Sequence, residues 1–583
     1  MTTQRLRLRP EQFAGIAAGY GDAGAMAVLA AGQLAKRKAL IAMVLRAARG
    51  SRHETPISGA AELITRAEEA AEPAVAGVLA LPHLDAWATL CLQRLADGDD
   101  GDDLAGLLGH LNAYAAAAAI AAGLSFGLTV PTVDGAAGIP GLGSATGLGP
   151  GPARVVGTAS SVLITGAGGT EVALDGPGWR PRRTVVLDGG WHLAIEDLDP
   201  YRHCYDWRPL PYLTEARARH LEKLLTDAWR LIRRDHPGHA EGLRHSLRAI
   251  VPLATPEGGT LISAASRHTA GAIAASIPDD AADLALLLIH EYMHAKLGAL
   301  LDLVDLVDRP GPDAAPGFHA PWRLDPRPAP ALLQGVYAHA GVTDFWRRRR
   351  HDPGADQRRA AAQFAYWRAM NRTAIAALLG SGQLTPAGDR FARALSATLD
   401  GWQDEPVASG IAARTRWYMT AQTTRWLLLN AHASTGEIER LTALMDHGTA
   451  AGPIAEHGEI RAGTARGPVD APGLLGDLRR WLDPDAPPTA EPHPAGPLLL
   501  SGDAAGAEHY CLTSLDADPA DDESWIGLAV ARTVAGRADP ATRLLRRRPE
   551  LLRAATLTFF DAGHSAPVTD LLRRLATEPT ATG

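Results

Sequence analysis

Residues 284–306 read LALLLIHEYMHAKLGALLDLVDL, and the period of this stretch decides the fold around it. Apolar residues recur at Leu286, Leu287, Met293, Leu297, Leu300 and Leu301, the spacing of a helix and not the strict alternation of a half-buried strand. Pro278, Asp279, Asp280 and Asp283 suit a first helical turn, where acidic side chains meet exposed N–H groups, and Arg309-Pro310-Gly311 would end the run. Inside it stands His-Glu-x-x-His. Residues four apart share one helical face, so His290 and His294 can offer two imidazole nitrogens to one metal ion with Glu291 beside them.

What completes the coordination shell separates the possible chemistries. After His294 the chain continues Ala295-Lys296-Leu297-Gly298, without the glycine and third-histidine spacing of a metzincin. A thermolysin-like peptidase takes a glutamate from a later helix, yet no Glu occurs between Glu291 and Glu405. The stretch PAPALLQGVYAHAGVTDFWRRRR (328–350) reads as a second helix, with Leu332, Leu333, Val336, Tyr337 and Ala340 at helical spacing. Gly335 and His339 lie four apart, so the missing side chain at Gly335 would let this helix approach closely enough for His339 to be the third ligand. His319 is the next candidate. Asp302, Asp305 or Asp308 would give the two-His, one-carboxylate set of non-haem iron, but Asp302 and Asp305 continue the same helix away from the metal.

Just upstream, GGTLISAASRHTAGAIAAS (258–276) is rich in small residues. In zincin-like folds an edge strand ahead of the metal helix pairs with an extended peptide, so Ser263 and Ser266 are candidate peptide contacts. Glu291 would be the general base of a hydrolase, or a supporting or proton-handling group in an oxygenase.

A chain of 583 residues exceeds one compact core, so two or three domains are expected. Residues 1–125 are Ala- and Leu-rich at helical spacing; 126–204 form a Gly-rich β region; 205–440 hold the His-Glu-x-x-His core; 441–495 are a linker. In 496–583, helices around Asp518-Pro519 followed by Trp525, Gly527 and Leu528 suggest a tetratricopeptide-like (TPR-like) helical hairpin extension. The expected class is mainly α with a small β region, α+β, with a zincin-like metal helix in a helical core.

Composition narrows the function further. A net charge of -8 gives no general attraction for nucleic acid, and Arg347 to Arg350 read as the cationic end of a helix. The N-terminus lacks the apolar core of a signal peptide and no apolar run is read as approaching the length needed to span a bilayer, so a cytoplasmic protein without a membrane partner is expected. Cys91, Cys204 and Cys511 are far apart and odd in number, so any metal is held by His and oxygen.

Taken in order, several blocks carry a resemblance: LRPEQFAGIAAGYG near the N-terminus, LDPYR (198–202), IVPL (250–253), SAAS (263–266), LLIHEYMHAKLGAL, HAPWRLDPRP from His319 and LLQGVYAHAGVTDFW from Leu332. Over roughly residues 5 to 440 the chain resembles the HExxH-motif family of α-ketoglutarate-dependent peptide β-hydroxylases, found with radical SAM maturases in ribosomal peptide natural-product clusters. The resemblance implies iron(II) at His290 and His294, α-ketoglutarate as co-substrate, and hydroxylation of a β-carbon in a ribosomally made precursor peptide. It also implies a radical SAM maturase of the same pathway as a second partner. A dicarboxylate co-substrate needs a cation for its distal carboxylate, and Arg323, or alternatively Arg327, is the candidate clamp. The competing expectation is a zinc(II) peptidase that trims the precursor with Glu291 as base.

Overall fold

The computed structural model describes residues 6–50, 54–99, 101–158, 160–256, 261–308, 317–447, 455–461, 472–484, 486 and 492–577. The chain is mainly helical with small sheets, as expected for the α+β class, and divides into two compact units, Met1–Asp305 and Leu306–Gly583. That division falls inside the 205–440 stretch read as one core.

The first unit opens with helices α1 (Pro10–Ala17), α2 (Ala23–Ala47), α3 (Glu54–Leu79), α4 (Leu84–Ala96) and α5 (Asp102–Ala121). α3 is kinked at Ala71, two residues before Pro73, whose ring cannot donate to the helical ladder. The Gly-rich region that follows divides its strands among three sheets. β1 (Phe126–Val130), β4 (Ala153–Gly157), β5 (Val162–Thr165) and β6 (Glu171–Ala173) pair in that order, while β2 (Ala137–Ile139), β3 (Gly143–Ala145) and β7 (Trp179–Pro181) form a second sheet. The last two strands, β8 (Arg183–Leu187) and β9 (Trp191–Ile195), leave the region and join the sheet beside the His-Glu-x-x-His helix.

That third sheet positions the site. After α6 (Glu215–Asp235) and α7 (Pro237–Ser246), strands β10 (Ala249–Leu253), β11 (Ser263–Ala264) and β12 (Ala272–Ser276) complete the order β11-β12-β10-β9-β8. β9, β10 and β12 run parallel, in register Ile250↔Ile273 and Ile250↔Ile195, whereas β8 and β11 are antiparallel edges. Every residue of β10 and β12 is buried, as parallel strands covered on both faces require. The chain then enters α8 (Ala281–Leu301), where the Asp280 side chain accepts from the Ala282 N–H at 3.0 Å and caps the first turn. α8 ends at Leu301; the Arg309-Pro310-Gly311 stop lies outside the described residues.

Two long-range contacts lock α8 in place. The buried Lys296 ammonium donates to the carbonyls of Gly19 at 2.7 Å and Tyr20 at 2.8 Å, in the turn after α1; burial pushes its pKa well below the ordinary lysine value. Gly242 of α7 faces the Tyr292 hydroxyl so closely that a Cβ there would overlap it. One sequence expectation is corrected here. Among the described residues two helices, Asp103–Ala121 and Ala281–Leu301, are long and apolar enough to cross a membrane by length and composition, although 67% of each apolar stretch is buried inside the protein. Both spend that apolar character on intramolecular packing, and one carries His290, Glu291, His294 and Lys296.

The second unit begins with α9 (Ala329–Arg349), α10 (Gln357–Leu379), α11 (Pro386–Asp400) and α12 (Ser409–Asn430). The pair β13 (Ala431–His432) and β14 (Glu459–Ile460) flanks α13 (Thr435–His447). Among the described residues seven helices follow: α14 (Gly473–Leu482), α15 (Ala495–Ser501), α16 (Ala504–Ala517), α17 (Asp522–Val534), α18 (Pro540–Arg547), α19 (Pro549–Asp561) and α20 (Val568–Thr577). Their core is one cluster built around Trp525, Leu528, Leu552 and Phe559.

Candidate functional site

α8 buries one side and leaves a half-buried stripe along Asp283, Leu287, His290, His294 and Leu301. The helical spacing of this stripe brings the two imidazoles to 4.9 Å between ring centroids, at 74°. Leu286 and Leu287 lie on the same half-buried side as the histidines, while the core side is made by Leu284, Leu288, Tyr292, Met293 and Leu297.

Glu291, beside them, is buried and only 2% exposed. Its Oε1 accepts from the Ser263 hydroxyl at 2.6 Å and lies 3.0 Å from His290 Nδ1. A carboxylate has no hydrogen to give, so Nδ1 is the donor. Burial alone would push the Glu291 carboxyl up. The His290 charge and hydrogen bond, the His294 charge and the Ser263 hydroxyl outweigh it and hold the group below the ordinary glutamate value. Ser263, a candidate peptide contact by sequence, therefore spends its hydroxyl on Glu291. The Ser266 hydroxyl accepts from the His268 N–H at 3.2 Å and shapes the turn before β12. Neither role is visible in the spacing of small residues, because each depends on how the β11 to β12 turn folds back.

Asp302, the C-cap of α8, is held by three side chains. Its carboxylate accepts from Gln33 at 3.0 Å, Lys36 at 2.9 Å and Arg267 at 2.8 Å.

His339, His319, Arg323 and Arg327 lie in the second unit, where each has well-defined surroundings. His339 is buried on α9 between two indoles: Trp322 stacks at 4.4 Å and 15°, and Trp367 lies at 4.2 Å and 31°. Its Nδ1 donates to the Gly335 carbonyl at 2.8 Å. The missing side chain at Gly335 has a different use from the one its spacing suggests, since a Cβ there would fall inside the Trp322 ring. Gly335 thus makes room for the tryptophan that clamps His339. His319 packs on Trp426 at 4.7 Å, and its Nε2 is buried without a hydrogen-bond partner among the described residues; burial pushes this imidazole down to about 4. The Arg323 guanidinium already grips Asp325, at 3.0 Å through Nε and 2.9 Å through Nη2, and Arg327 holds the other oxygen at 3.0 Å. Glu405, the first glutamate after Glu291, is bound by Arg347 and Arg350.

Among the described residues no group of three or more His, Cys, Asp or Glu side chains is drawn together as a metal cage. What the structure does assemble in one unit is His290, His294, Glu291 and Ser263. No family model and no curated protein matches this sequence.

Proposed function

We propose that the protein is a non-haem iron(II), α-ketoglutarate-dependent oxygenase that hydroxylates a β-carbon of a residue in a ribosomally made precursor peptide. The observation that carries this reading is the Glu291 carboxylate, held at one oxygen by Ser263 and by His290 Nδ1. A peptidase needs this glutamate free to take a proton from a metal-bound water. Here it is engaged as a positioning residue: it fixes the tautomer and the tilt of His290, the support that histidine ligands commonly receive. The absence of any Glu from 292 to 404 and the capture of Glu405 by two arginines also weigh against a thermolysin-like ligand set.

His290 and His294 would hold the metal; His339, the third ligand expected from sequence, and His319, its alternative, lie in the second unit. His319 fits as a donor, with a buried Nε2 that has no hydrogen-bond partner among the described residues, and the His339 ring is oriented by its Nδ1 bond to a backbone carbonyl. Iron(II) with α-ketoglutarate would supply the oxidising power. Arg323 fits the co-substrate by exchange, giving up Asp325 for the distal carboxylate; two guanidiniums over one carboxylate leave a surplus positive charge to attract the anion. The fold suits a zincin-like reading, with the short antiparallel edge β11 next to the helix that follows β12. A peptide aligned along that edge would lie beside Ser263 and the α8 histidines. We read α16 and α17 as the TPR-like hairpin, and a radical SAM maturase of the pathway as a second partner.

The test is turnover by the purified protein with iron(II), α-ketoglutarate, oxygen and the candidate peptide. The expected products are peptide one oxygen heavier and succinate, with measurable turnover kept in Glu291→Gln. Peptide cleavage with zinc alone, abolished in Glu291→Gln, would establish the peptidase instead.

A further inference from the structure

A second concave site lies wholly within the second unit, between the Pro321-Trp322 loop and helices α10, α12 and α14. Its volume is about 210 Å³, and its walls include Trp322, Tyr366, Trp367 and Tyr418. Two of those walls are held rigid from behind, because Trp322 and Trp367 both pack on the His339 ring. Tyr366 is held from its polar end, its hydroxyl donating to Gln422 at 2.6 Å. Preformed aromatic walls lose little freedom when a ring slides between them. A cavity of about 150 Å³ holds benzene, so this one has room for a single ring and a short arm.

The polar groups at the pocket decide what the arm carries. Arg479 lines it, is exposed, and forms no ion pair among the described residues. Asp483, the acid in the lining, is engaged by Arg359 at 3.2 Å. An aromatic cage can also hold an ammonium group, but an unpaired guanidinium at the pocket repels one and welcomes a carboxylate. The Tyr418 hydroxyl has no hydrogen-bond partner among the described residues and can add a second donor.

We propose that this pocket binds an aromatic ring carrying a nearby carboxylate, either as a free aromatic acid or as the C-terminal aromatic residue of a peptide. The ring packs among Trp322, Tyr366, Trp367 and Tyr418, and the carboxylate takes the Arg479 fork. The site requires neither the metal nor the oxygenase chemistry.

Calorimetric titration of the full chain without metal tests it, with 3-phenylpropionate, an acetylated peptide ending in phenylalanine, and the same peptide amidated at its C-terminus. Both carboxylates should give saturable binding, and the amide should bind at least roughly tenfold more weakly, as expected for loss of a charge-assisted hydrogen bond. Arg479→Gln, at an exposed position, should weaken the carboxylates by a similar factor, and Tyr418→Phe by less. Tighter binding of the peptide than of the free acid assigns the site to a chain terminus; equal binding assigns it to the small molecule. No saturable binding of either carboxylate, or binding unchanged by amidation and by Arg479→Gln, overturns the proposal.

Discussion

Two histidine environments in this chain look alike in sequence and differ in structure. His290 and His294 sit half-buried on α8 with a carboxylate and a serine behind them, whereas His339 is sealed between two indoles on α9. Both helices carry the histidine at a four-residue spacing from another notable residue. In α8 the spacing brings two donors together; in α9 it pairs a histidine with a glycine whose empty side is filled by Trp322. Spacing along a helix tells which residues share a face, and only the neighbouring elements tell what that face meets.

The largest effect should come from breaking the α8 pair. His290→Ala or His294→Ala should each lower iron affinity by more than about 100-fold, beyond the roughly 10–100-fold that loss of a supporting partner costs; metal titration of the purified variants checks it. If either variant binds iron as the parent does, α8 is not the metal helix. His339 tests the other side of the comparison. His339→Ala should destabilise the second unit by about 2–5 kcal/mol, because it empties the space between Trp322 and Trp367. Gly335→Ala should cost about 1–3 kcal/mol by forcing Trp322 to move. Denaturant unfolding measures both, and iron titration of the same proteins separates the roles: a ligand at His339 loses metal in His339→Ala and keeps it in Gly335→Ala.

Smaller effects sharpen the contrast. Ser263→Ala removes one of the two groups holding Glu291 and should weaken iron binding by roughly tenfold, with the fold intact by circular dichroism. Arg323→Lys keeps the charge and loses the fork, so the α-ketoglutarate concentration needed for half-maximal turnover should rise a few-fold while iron affinity holds. An unchanged requirement would remove Arg323 from the co-substrate site.

Much of this was readable from local pattern. The periods of α8 and α9, the helical run before residue 122, the short strands of the Gly-rich region and the helix at 473–482 all follow from spacing and turn residues. What escaped is long-range. β8 and β9 read as part of the Gly-rich region, yet β9 pairs on its other side with β10, more than fifty residues later in the chain. Ser263 looks like any serine in a small-residue stretch until β11 folds back along β12. Trp322 could be noticed as an aromatic near His319, but its insertion at Gly335 depends on two segments meeting. The division between Asp305 and Leu306 comes four residues after the end of α8, with no change in composition to mark it.

Lys296 sets a boundary for anyone dividing the chain. Its ammonium is buried against the carbonyls of Gly19 and Tyr20, so a fragment starting downstream of that turn would leave a cation in the interior with both acceptors missing. Such a fragment would deprotonate the lysine or loosen α8 from its sheet. The turn at Gly19 and Tyr20 is thus a clasp for the His-Glu-x-x-His helix, and a shortened expression clone must keep it even though it lies far from the histidines in the chain.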